Sequence, residues 1–69
     1  MADNESKLVC DWSEAYTLIE KVDAIYLEAL VAGGWQAQAS MDAMPTTWHE
    51  NESLPLAIIA ACTEALYES

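Results

Sequence analysis

Arginine is absent from this sequence, and lysine occurs only twice, at Lys7 and Lys21, against 12 acidic residues. The net charge is −10 at pH 7. Nucleic-acid binding needs Lys and Arg to neutralise phosphates, and acidic membrane surfaces attract the same side chains. The composition therefore argues against both partner classes. A partner surface that is basic, or apolar with a basic rim, stays open.

Glycine and proline number two each, so long irregular stretches are not expected. Cysteine is limited to Cys10 and Cys62, too few for a secreted disulfide scaffold and at no metal-ligand spacing. Cys62 lies in an apolar run and reads as a small buried hydrophobe, whereas Cys10 reads as exposed. No basic-then-apolar start marks a secretory signal. No apolar run approaches the roughly 18 residues of a membrane span. The expectation is a reduced, cytoplasmic protein.

Catalytic groups are equally scarce. His49, in "TWHENE", is the single histidine and reads as a surface-turn residue. Its spacing to Cys10 and Cys62 suggests no nucleophile–base pair, and Glu50 and Glu52 beside it form no helical metal-ligand pair. There is no glycine-rich phosphate loop. The sequence predicts no catalytic residues, no cofactor and no metal.

What is present is apolar surface. Hydrophobic residues make up 54% of the 69-residue chain, too many for a disordered acidic tail. Residues 1–10 read as a flexible arm. Residues 11–69 read as one all-α domain, a helical hairpin. Asp11 and Glu14 resemble a capping box opening a helix over about 11–32, which Gly33 and Gly34 stop. Trp12, Ala15, Leu18, Ile19, Val22, Ile25, Tyr26, Ala29 and Leu30 fall on one face of that helix. Tyr16, Leu27 and Val31 fall outside the stripe; they read either as singly exposed apolar residues or, together with Trp12, as a second contact surface.

A connector over 33–53 follows. Its Ala-, Gln- and Met-rich residues 36–44 predict a short helix ended by Pro45. The alternation in "QAQASM" is the strand alternative. Thr47 and Glu50 make a second possible capping box. The last helix, about 54–68, has Ser53 as N-cap and Pro55 in its first turn. From Leu54 to Cys62 it carries no polar side chain. A helix this apolar belongs in an interior, and one amphipathic helix cannot cover it. The sequence therefore predicts a homodimeric helical bundle, with Leu54, Ile58, Ile59, Ala61, Cys62, Ala65 and Leu66 at the dimer interface.

Trp12, Trp35 and Trp48 stand out in so short a chain. Tryptophan dominates interface hot spots because it removes much area from water at low entropic cost. Trp12 fits the core stripe. Trp48, in a polar turn, and Trp35, after the glycine pair, are the first candidates for partner binding, followed by Tyr16, Leu27 and Val31.

The stretch "AYTLIEKVDAIYLEALVAGG", the Trp- and Met-bearing connector and "LPLAIIAACTEALYES" together resemble small acidic helical proteins of Pseudomonas and its phages. The resemblance covers residues 11–68 and lies in size, charge and helix pattern. It implies a helical dimer that binds a host quorum-sensing transcription activator and blocks DNA binding. It also implies binding to the ATPase that drives type IV pilus assembly. It assigns no individual residue. The function expected is a non-enzymatic protein–protein interaction module that inhibits a larger host protein. The alternative is an acidic decoy that imitates nucleic acid, as in anti-restriction or anti-CRISPR proteins. Such a decoy needs dense carboxylates, whereas this chain spends surface on apolar groups.

Overall fold

A computed structural model describes the backbone of residues 2–68 and the side chains of residues 10–68. It shows an α+β fold, which corrects the all-α helical hairpin. Helix α1 (Ala2–Ile19) leads into strands β1 (Ala24–Ala29), β2 (Trp35–Met41), β3 (Met44–Pro45) and β4 (His49–Asn51). Helix α2 (Leu54–Thr63) follows and ends in a π-helical turn, Glu64–Glu68.

The predicted helix over 11–32 is thus split. Its first part belongs to α1, which begins at Ala2, so Asp11 lies inside a helix instead of capping one. The arm expected at 1–10 is helical from Ala2; Met1 lies outside the described residues. The helix stops at Ile19 without glycine or proline. Thr17, Ile19, Val22 and Ile25 are β-branched, which weakens the preference for continuing a helix. Asp23 then fixes the new direction: its N–H donates to the Ser40 carbonyl and its carboxylate accepts the Asp42 N–H.

β2 is the central strand. β1 pairs antiparallel along one side, while β3 and β4 pair with successive parts of the other. The Gly33–Gly34 pair is the turn of the β1–β2 hairpin, not a helix stop. Both glycines have positive φ, +105° and +91°. At Gly34 a Cβ would also come within 3.1 Å of the Asn51 carbonyl oxygen. Of the two readings of 36–44, the strand alternative is the one adopted, because alternate alanines are needed on one face. Ala37 and Ala39 are fully buried, while Gln36, Gln38 and Ser40, which alternate with them, are not.

The sheet and α1 together cover α2. Ala57, Ile58, Ala61, Cys62 and Ala65 form one core with Ala15, Leu18, Ala37 and Ala39; Leu54, Ile59 and Leu66 pack against it. Of the residues assigned from sequence to a dimer interface, Ile58, Ala61, Cys62 and Ala65 are buried within one chain, while Leu54, Ile59 and Leu66 are half-buried. Alanine on both sides lets the helix lie close to the sheet. Ser53 sits at the N-cap in extended conformation, but its hydroxyl makes no cap bond; the Ala57 N–H donates to its backbone carbonyl.

One extra residue interrupts the far edge. Between the pairs Ser40–Pro45 and Ala37–His49, β2 contributes Gln38 and Ala39 against Thr46, Thr47 and Trp48. This is a β-bulge. Thr46 repairs it. Its N–H donates to the Ala39 carbonyl at 2.8 Å, and its hydroxyl accepts the Ala39 N–H at 3.1 Å. The hydroxyl stands in for a ladder carbonyl and itself donates to the Thr47 carbonyl at 2.8 Å. Gln38 Nε2 donates to the Thr46 carbonyl at 2.8 Å.

Candidate protein-binding groove

The β2–β3 hairpin and the π-helical turn meet at one end of the molecule. Between them lies a groove of about 510 Å³, lined by Met41, Met44, Pro45, Thr46, Ala65 and Leu66 and flanked by Asp42 and Glu64. The hairpin reverses through Asp42 and Ala43, which have φ of 52° and 63°. Two successive positive φ angles give a turn whose twist matches the strands. The turn brings Met41 and Met44 opposite each other in register. Both therefore leave the sheet on the same side, the side of Ala37 and Ala39. Met44 is 70% exposed.

Glu64 is fixed in place from the bulged strand. Its Oε1 lies 2.6 Å from His49 Nε2, a hydrogen bond whenever the ring carries its proton on that nitrogen. The Thr47 hydroxyl donates to the same oxygen at 2.9 Å, and the Thr47 N–H donates to Oε2 at 3.4 Å. Hydrogen bonds from His49 and then Thr47 hold the Glu64 carboxyl below the usual glutamate range. His49 thus lies half-buried in β4, not in a surface turn, and the Thr47–Glu50 capping box does not form.

Chemically, the groove offers adaptable apolar contact beside carboxylates. Unbranched, polarisable methionine fits irregular apolar partners. Activated nucleophiles are missing from the lining. The buried Thr46 hydroxyl is engaged with backbone, Cys62 is buried with its thiol pushed up by desolvation, and Cys10 is exposed without a bond to His49. Among the described residues no three His, Cys, Asp or Glu side chains are grouped to hold a metal ion. No helix among them is long and apolar enough to cross a membrane.

The other candidate residues are exposed and lie in three places. Trp48 lies in the bulge, and Tyr16 stacks on Trp12 along α1 with ring centroids 5.6 Å apart. Leu27 and Trp35 are diagonal neighbours on one face of the β1–β2 hairpin, and Val31 lies in its turn. None of the five lines the groove. Met41, Asp42 and Met44 escape the sequence reading because "MDAM" has no glycine to signal its turn.

Searches of protein-family models, of curated proteins and of solved structures give no match to this chain.

Proposed function

We propose that this chain is a non-enzymatic protein-binding module that inhibits a larger host protein by occupying an apolar surface with a basic rim. The observation that carries the reading is the methionine groove with Asp42 and Glu64 beside it, on a chain of net charge −10. An apolar side chain flanked by Lys or Arg on the partner fits it. The apolar contact supplies affinity, and the carboxylates favour the correct partner and speed encounter. The first partner to try is the one implied by the resemblance, which keeps size and charge but loses the helix pattern to the sheet: a quorum-sensing transcription activator, whose DNA-binding surface is basic; the pilus assembly ATPase is the second. Action in the cytoplasm, with both thiols reduced, belongs to the same proposal.

The test is displacement of DNA from a purified activator of that class. Wild-type protein should release the DNA. Met44→Asp should lose about tenfold or more of this activity while keeping its melting temperature, because Met44 is exposed. Undiminished activity in Met44→Asp, combined with a steep loss between low and moderate salt, would favour the nucleic-acid decoy instead.

A further inference from the structure

The two edges of the sheet are built differently. On the β3–β4 side the ladder is broken into short pieces, carries Pro45 and contains the bulge at Thr46–Trp48. These are the devices that protect an edge from pairing with another strand. β1 has none of them. It is six residues long, has no proline, lysine or bulge, and pairs continuously with β2. Tyr26, Leu27, Glu28 and Ala29 are all exposed.

The direction of the unpaired backbone groups follows from two bonds. The Leu30 N–H donates to the Gly34 carbonyl, in register with the β1–β2 ladder. Ala39 directs its N–H and carbonyl toward Thr46, away from β1. Antiparallel strands alternate. Ala24, Tyr26 and Glu28 therefore bond β2, while Ile25, Leu27 and Ala29 direct their N–H and carbonyl groups outward.

Charge permits a second copy at this edge. Between Asp23 and Asp42 the chain carries one charged side chain, Glu28. β1 is thus where two copies of this acidic protein can approach with least repulsion. We infer that β1 pairs antiparallel with β1 of a second copy about a two-fold axis at Leu27, joining the two sheets into one. Ile25 then faces Ala29 of the second copy, and the two Leu27 residues face each other. All these pairs use the outward groups. Glu28 falls opposite Tyr26 and not opposite the other Glu28, so the register avoids a like-charge pair. The two exposed leucines cover one another on the face that carries the helices.

The test is the association state of the full chain by sedimentation, with amide exchange read at Ile25, Leu27 and Ala29. Wild type should dimerise, protect those three amides as concentration rises, and associate more tightly at higher salt, because screening relieves repulsion between like-charged copies. That salt response is opposite in sign to the one expected for a basic partner at the groove, so failure of either reading leaves the other standing. Leu27→Lys should weaken the dimer about tenfold or more by setting like charges face to face, with unchanged folding. Leu27→Pro removes an outward donor and leaves the β2 ladder complete. Leu27→Cys should form an interchain disulfide, since directly paired Cα atoms at about 5.5 Å lie within disulfide reach. A wild type that stays monomeric at high concentration overturns the inference. So does a dimer that survives both Leu27→Lys and Leu27→Pro, or protection of these amides only when a different protein is added.

Discussion

His49 and Glu64 are joined at 2.6 Å, and the link fastens the bulged edge of the sheet to the first residue of the π-helical turn. The Glu64 carboxyl is held low by hydrogen bonds from His49 and Thr47. Its charged form is therefore favoured in the folded state. The sign follows from linkage: the contribution is complete above the ordinary glutamate value of 4.5 and is lost as pH falls through the lower folded value. Glu64→Gln should flatten the acid side of the melting-temperature profile. A variant profile parallel to wild type below about pH 4.5 would contradict this role.

Thr46 is the one polar side chain buried among the described residues, at 6% exposure. Thr46→Val keeps the shape and leaves the Ala39 N–H without an acceptor. A buried unsatisfied donor costs about 1–3 kcal/mol. Thr46→Ser keeps the hydroxyl and should lose less. Denaturant unfolding of both variants checks the order, and equal losses would assign the effect to packing alone.

Ala43 holds a φ of 63° without the freedom of glycine. Ala43→Gly should relieve that strain and stabilise the chain by about 0.5–1 kcal/mol, the gain being reduced by the added freedom of the unfolded state. A fall in denaturation midpoint would mean that the alanine methyl makes a contact worth more than the strain.

Ala61 is fully buried in the core that joins α2, α1 and the sheet. Ala61→Leu should cost about 1–3 kcal/mol by forcing these elements apart. Thermal unfolding measures it, and a neutral result would show that the helix can move away without loss.

Cys10 is exposed and Cys62 is buried with a thiol pushed above its ordinary range. Under native conditions an alkylating reagent should modify Cys10 alone, and both thiols after denaturation. Mass spectrometry reads the count. Equal labelling rates in the folded protein would place Cys62 at the surface.

Much of the last helix is legible in the sequence. Ser53, Pro55 and the apolar run from Leu54 mark where it begins and require that it be covered on more than one side. Composition also fixes the acidic surface, and the exposure of Trp35 and Trp48 follows from their polar or glycine-rich settings. Leu27 is exposed as expected, but for another reason: it lies on an open sheet edge, not on the back of a helix.

The sheet was decided only by the assembled fold. Ala, Leu, Glu, Gln and Met in residues 24–41 favour helix locally, and Gly33–Gly34 serves a helix stop or a hairpin turn equally well. Local preferences of this size yield to burial. An all-round apolar α2 needs a flat surface of small side chains on one side, and β2 offers Ala37 and Ala39 there when it is extended. Part of the cover that the sequence assigns to a second chain therefore comes from the chain's own sheet, with Leu54, Ile59 and Leu66 left half-buried. The bulge, the Thr46 hydroxyl in place of a ladder carbonyl and the His49–Glu64 link all follow from that pairing. They join residues seven to 15 positions apart, which no local pattern brings together.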